Sequence, residues 1–126
     1  EKVQFYGKMN LNDGYEISKQ CIAGLAILKP IGNYIKSYPT KVFEYMAVGL
    51  PVLASNFSMY KQIVEDDGVG WCVDPTCPMD IANQLEAIIK TEMLDEISQT
   101  AVERSFKYSW RNEEKKLLSL YQTILE

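Results

Sequence analysis

The chain contains no histidine. That absence excludes Ser-His-Asp triads, an imidazole general base and the commonest metal ligand. Cysteine is scarce: Cys21, Cys72 and Cys77 form an odd set without a disulfide-framework spacing, which reads as free thiols in a reducing compartment. Cys72 and Cys77 do not stand at a usual zinc spacing, and no metal site is expected. No apolar run approaches a membrane span and no secretory leader is visible, so a cytoplasmic location is expected, with any membrane contact peripheral and made by another part of the protein. Basic residues are outnumbered, and the net charge of −4 argues against nucleic acid as the main partner, because neutralising phosphates needs a basic surface.

What remains is ordinary for a globular domain. The 126 residues are 47% hydrophobic and 24% charged, enough for one domain with its own core over residues 1–126. The first residue is Glu1 rather than Met, and an apolar segment follows almost at once, so an excised piece of a longer protein is expected.

The apolar pattern predicts strands alternating with helices. Val3–Gly7 reads as a short strand closed by glycine, and Asn12-Asp13-Gly14 as a turn before a helix over Tyr15–Gln20. Ile22–Leu28, Pro51–Ser55 and Trp71–Val73 are continuous apolar runs, suited to strands buried on both faces of a parallel sheet. Between them lie a loop over Ile31–Tyr38, a helix from Pro39 to about Val48 capped by Gly49, and a helix from an N-capping Ser58 to Glu65. Helical spacing then runs through Pro78–Lys90 and Glu92–Lys107. Ser109 is expected to cap a last helix whose apolar face carries Leu117, Leu118, Tyr121, Ile124 and Leu125. The predicted fold class is α/β, a three-layer domain with a parallel sheet of about four strands and a helical C-terminal third.

In an open parallel sheet, ligands bind beyond the carboxyl ends of the strands, at helix N-termini. The helix beginning at Pro39 stands at that edge. The backbone N–H groups of Thr40, Lys41 and Val42, together with the helix dipole, would suit an anion, with Ser37 or Tyr38 adding contacts. The plain alternative is an ordinary proline-started helix. Glu44 follows on the same face among Val42, Phe43, Tyr45 and Met46. A carboxylate buried in such surroundings is costly unless it is hydrogen-bonded, which suits the paired hydroxyls of a ribose. The alternative is a Lys41–Glu44 helical pair worth only about 0.2–0.5 kcal/mol. Lys8, at the end of the first predicted strand, is a further candidate for a phosphate. Asp66-Asp67-Gly68 is read as a turn rather than a cation loop, Trp71 and Trp110 as packing residues, and Cys72 as core.

The run Pro39-Thr40-Lys41-Val42-Phe43-Glu44-Tyr45-Met46-Ala47-x-Gly49-x-Pro51-Val52-x-Ala54-Ser55 resembles the donor-binding signature of GT-B glycosyltransferases of the group 1, or family 4, type. Ile63-Val64-Glu65-Asp66-Asp67-Gly68-x-Gly70-Trp71-x-Val73-x-Pro75, and Asp80 through Ile89, are similar to later parts of that family's pattern. The resemblance implies a Rossmann-like C-terminal domain that binds a nucleotide-diphosphate sugar, with no other cofactor. It implies that Glu44 takes the ribose hydroxyls and that the helix N-terminus faces the diphosphate. It also implies that a basic side chain, rather than a metal, steadies the leaving nucleotide, and that the anomeric configuration is retained.

Two departures follow. Many members carry a second acid eight residues before the ribose-binding one, where this chain has Lys36, so recognition of the donor sugar does not carry over. The family's two preceding strand–helix units and its acceptor-binding N-terminal domain have no counterpart before Val3. The chain alone is therefore expected to be inactive, and its open edge to pair differently or to drive formation of a homo-oligomer. Two other functions fit the same architecture: a nucleotide-sugar 2-epimerase, which the lack of histidine disfavours, and a non-catalytic binding module.

Overall fold

A computed structural model describes residues 2–125. It contains α1 (Leu11–Ser18), β1 (Gly24–Ala26), a 3-10 turn (Gly32–Ile35), α2 (Thr40–Ala47), β2 (Val52–Ser55), α3 (Ser58–Val64) and β3 (Gly70–Val73). After these come α4 (Pro78–Lys90), α5 (Leu94–Ser105), a second 3-10 turn (Phe106–Tyr108) and α6 (Trp110–Leu125). The α/β class is as expected. The three strands are parallel in the order β1-β2-β3, with Leu25 opposite Leu53 and Leu53 opposite Trp71.

Successive crossovers in one direction along a parallel sheet place their helices on one face. Accordingly α2 and α3 share a face, where Val42, Met46, Tyr60, Ile63 and Val64 form the main core with Val52 and Ala54. Ala101 brings α5 into this cluster. On the opposite face α4 packs Ile88 against Leu53 and Val73, with Trp71 half-buried beside them. The result is three layers, helices on both sides of the sheet.

Helix α2 ends in a Schellman motif. Gly49 sits at φ +72°, its N–H bonds the Met46 carbonyl at 3.0 Å, and the Leu50 N–H returns to Tyr45 at 2.9 Å. Ser98 of α5 then donates to the Gly49 carbonyl at 2.6 Å, tying the two helices at that corner.

Several expectations need correction. Val3–Gly7 forms no strand: the segment is exposed, and the sheet has three strands rather than about four. Asn12-Asp13-Gly14 lies inside α1, because Asn10 caps that helix by accepting from the Asp13 N–H at 2.9 Å. Phe57, not Ser58, is the N-cap of α3, and Pro39 is the N-cap of α2 rather than its first residue. Strand β1 is less well covered on the α4 face: Ile88 of α4 packs with Leu53 and Val73 of the next two strands, and Leu25 keeps 47% of its surface. The C-terminal third does not pack as one layer. Helix α5 lies against α2, whereas α6 leans mainly on the second 3-10 turn. The α6 residues Leu117, Leu118, Tyr121, Ile124 and Leu125 are exposed, and Trp110 is 68% exposed instead of packed.

One buried hydroxyl shapes the edge where the strands end. The side chain of Ser55, fully buried, accepts from the Leu28 N–H at 2.7 Å and donates to the Leu28 carbonyl at 2.9 Å. It continues the β1–β2 pairing past Ala26 and fixes the start of the loop that leads to α2. Ser55→Ala leaves both Leu28 groups short of a partner. At about 1–3 kcal/mol for a buried unsatisfied group, a stability loss of roughly 3 kcal/mol is expected in urea unfolding, whereas Ser55→Thr keeps most of it.

Candidate functional site

Helix α2 is the element on which the site is built. Val42 and Met46 are one turn apart and both fully buried, so they fix which side of the helix faces the sheet. Glu44, midway between them, is turned away and is exposed, which corrects the expectation of a buried carboxylate. Its surroundings nonetheless form a concavity. Glu44 and Tyr45 of α2, with the capping residue Val48, face Met9, Asn10 and Tyr15 around α1, enclosing about 240 Å³. Among the described residues the Glu44 carboxylate has no hydrogen-bond donor and no ion pair, so the Lys41–Glu44 pair does not form. Beside it, burial raises the Tyr45 phenol above its ordinary pKa, and the Glu44 charge raises it further. The Tyr45 hydroxyl donates to the Leu25 carbonyl at 3.3 Å, which keeps α2 seated on β1.

A second hollow, of about 270 Å³, opens at the start of α2. Ser37, Tyr38, Thr40 and Lys41 line it together with the end of β1, and the fully buried Tyr60 forms part of its wall. Burial raises the Tyr60 phenol, partly offset by a hydrogen bond with Ser37. The N-terminus offers fewer free donors than expected. The Thr40 N–H bonds the Tyr38 carbonyl at 3.1 Å, and the Val42 N–H bonds the Pro39 carbonyl at 2.9 Å. Lys41 alone of the three keeps an unpaired N–H among the described residues, and its exposed side chain forms no ion pair.

The structure therefore groups Ser37, Thr40 and Lys41 in one hollow and Glu44 in a neighbouring one, both walled by α2. Lys8 lines neither. It lies in the exposed segment before α1 rather than at a strand end, although the next residue, Met9, belongs to the Glu44 hollow. The Asn10 and Tyr15 contribution was not foreseen. Its signal was the Asn10…Asp13 pairing, an N-cap with an acid three residues on, which places α1 earlier and points its first turn at α2.

The remaining candidates have structural partners. Asp67, only 8% exposed, accepts from Lys107 at 3.1 Å and from the Tyr108 hydroxyl, tying the turn before β3 to the second 3-10 turn. The hydrogen bond to Asp67 raises the Lys107 amine above its ordinary value. Cys72 packs against the main core, and burial pushes its thiol up to about 12, which makes it inert near neutral pH.

In an open parallel α/β sheet, ligands bind beyond the carboxyl ends of the strands, and here hollows open at the start of one crossover helix. Residues 1–120 match the family described as glycosyl transferases group 1, and the chain belongs to that family. It is 31% identical over 125 residues to a sucrose synthase of Melioribacter roseus, across 94% of this chain and 16% of that protein. It is 25% identical over 125 residues to a phosphatidyl-myo-inositol mannosyltransferase of Mycobacterium leprae, across 98% of this chain and 32% of that protein. The chain thus spans a third or less of the length of these relatives. No solved structure gives a significant match. Among the described residues, no helix is long and apolar enough to cross a membrane.

Proposed function

We propose that this chain is the donor-binding part of a cytoplasmic glycosyltransferase that moves a sugar from a nucleotide diphosphate to an acceptor, with retention at the anomeric carbon. The observation that carries the reading is the unpaired Glu44 carboxylate on the wall of a hollow, one helical turn beyond the start of α2. In this reading Glu44 accepts two hydrogen bonds from a ribose diol. Ser37, Thr40 and the free N–H and ammonium of Lys41 surround the diphosphate, where the dipole of α2 favours negative charge. Four residues of helix, about 6 Å along the axis, separate Thr40 from Glu44, a spacing that a ribose and its own diphosphate span. Neutralisation of the leaving nucleotide falls to basic side chains rather than to a metal, with Lys41 at the helix start and Lys8 on the approach to the Glu44 hollow. No cofactor beyond the nucleotide sugar is called for.

The family match and the two glycosyltransferase-class relatives support transfer chemistry. The acceptor-binding half is assigned to sequence outside this chain. The open edge of β1 and the exposed apolar side of α6 are surfaces on which that half, or a second copy, would pack. The test is calorimetry of the complete protein against UDP, GDP and ADP, followed by a transfer assay with the matching nucleotide sugars. One nucleotide is expected to bind in the micromolar range, equivalent to about −8 kcal/mol. No binding by any of the three rejects the assignment.

A further inference from the structure

Gly24 opens β1 and is buried beneath α2. A Cβ built on it would stand 2.5, 2.6 and 2.8 Å from Cδ2, Cγ and Cδ1 of Tyr45. Distances so nearly equal place it over the face of the ring. The base of the Tyr45 ring therefore rests on bare strand backbone, a seat that only glycine leaves open. The tip of the same ring is tethered, since its hydroxyl donates to the Leu25 carbonyl at 3.3 Å. Tyr45 is the neighbour of Glu44 on α2, and both line the same hollow. The donor reading gives this ring no task.

We propose that Tyr45, seated on Gly24, is a positioning residue that sets the angle of Glu44 around the axis of α2 and so its approach to the ribose diol. The inference rests on the donor reading and adds two residues to it. One holds the direction of the carboxylate, and the other makes room for the first.

Apolar burial alone leaves that angle loose. Val42 and Met46 hold α2 against the sheet, but hydrophobic contact is non-directional. Among the described residues Glu44 has no hydrogen-bond or ion-pair partner, so its direction comes from the helix that carries it. A helix with its side chains is about 5–6 Å in radius, so a roll of about 20° carries a group on its rim roughly 2 Å. That displacement breaks a hydrogen bond, whose donor–acceptor distance spans only about 2.7–3.2 Å. A rigid ring with its base on Gly24 and its tip on Leu25 is held at two points. It cannot roll with the helix without giving up one of them.

The seat is also intolerant of change. The ring atoms that crowd Gly24 lie at the near end of the side chain, because Cγ is one bond from Cβ. A methyl group at residue 24 is therefore not relieved by a swing of the ring's tip. Either the side chain turns about its first bond, which withdraws the hydroxyl from Leu25, or α2 lifts from β1. Each outcome redirects Glu44.

The test is a mutant cycle on the complete protein, read by nucleotide calorimetry and by NMR of labelled glycine. Tyr45→Leu keeps apolar bulk without the flat ring and is expected to weaken nucleotide binding about tenfold. Tyr45→Phe keeps the ring and should recover most of that loss. Glu44→Gln is then made in both backgrounds. It is expected to cost about tenfold or more in the unaltered protein, but less than about threefold once Tyr45→Leu has turned the carboxylate away from the diol. A residue that only supported the fold would leave the cost of Glu44→Gln the same. Gly24→Ala attacks the same contact from the strand and carries the same cycle where Tyr45→Leu does not fold. The glycine signal needs no ligand. The Gly24 protons lie against a ring face and should resonate upfield of ordinary glycine in the unaltered and Tyr45→Phe proteins, and not in Tyr45→Leu. The proposal is overturned if that upfield shift is absent, or if Glu44→Gln costs as much without the Tyr45 ring as with it. If Glu44→Gln costs nothing in the unaltered protein, the ribose assignment itself has failed and takes this inference with it.

Discussion

Gly70→Ala is expected to prevent formation of the native sheet. Gly70 opens β3 opposite Val52, and a Cβ built on it would stand 1.9 Å from the Val52 carbonyl oxygen and 2.7 Å from the Val52 nitrogen. Both atoms are backbone of the central strand, and neither can swing aside as a side chain does. Relief requires β2 and β3 to separate. Their pairing carries Leu53, Ala54 and Val73, which join the two core clusters across the sheet. Val52 also bonds the Val69 carbonyl through its N–H at 3.0 Å, so a displaced β3 start takes that bond with it. The expected loss exceeds about 4 kcal/mol, the range reserved for severe core disruption, against total stabilities of about 5–15 kcal/mol. Gly7→Ala is the control. It strains a positive φ of 68° but meets no atom within 4 Å, so a loss of about 1 kcal/mol is expected. Urea unfolding followed by circular dichroism distinguishes the two. If both substitutions cost the same, the close approach at Gly70 does not govern the sheet.

The same contrast between crowded and open places explains what could be read from the residues alone. The apolar runs at Pro51–Ser55 and Trp71–Val73 are strands because each has a neighbour on both sides or a helix above it, and burial selects the pattern. Val3–Gly7 alternates just as a strand should, yet it has no partner in the sheet, and alternation without a ladder leaves Phe5 91% exposed. At Asn12-Asp13-Gly14 turn chemistry lost to capping: the Asn10 side chain satisfies an orphan N–H and starts the helix at Leu11, one residue before the expected turn.

The reading of α2 shows both outcomes within eight residues. Its extent and its glycine stop were legible, because Pro39 and Gly49 each constrain the backbone. The burial of Glu44 was misjudged by counting apolar neighbours along the chain. Neighbours in sequence are 100° apart on a helix, so Val42 and Met46 define an inner side that excludes the residue midway between them. The partner helix α1 was not foreseeable from Glu44's own surroundings, and it is α1 that turns an exposed carboxylate into the wall of a hollow.

Exposure changes the physics of the remaining prediction without removing it. A buried unpaired carboxylate would destabilise the fold and make its removal hard to interpret. Glu44 is exposed and has no partner among the described residues, so Glu44→Gln should alter folding stability by no more than about 0.5 kcal/mol. Its effect on donor binding should be large. Two hydrogen bonds from a ribose diol to an ionised oxygen pair are charge-assisted, worth about 1.5–3 kcal/mol. An amide of the same shape keeps one acceptor and turns the other oxygen into a donor facing a hydroxyl. Nucleotide affinity of the complete protein is therefore expected to fall roughly tenfold to a hundredfold, since about 1.4 kcal/mol is a factor of ten. The loss should be shared by every nucleotide that binds, whatever its base. A spectroscopic readout accompanies it. The Tyr45 phenol is held above its ordinary value first by burial and then by the Glu44 charge, so the substitution should lower its titration midpoint while leaving the burial effect in place. A Glu44→Gln protein whose Tyr45 midpoint falls but whose nucleotide affinity is unchanged would show that the carboxylate occupies the hollow without serving the ligand. The ribose assignment would then have to move to another wall of the same hollow, where Asn10, Tyr15, Ser18 and Tyr45 are polar groups to test.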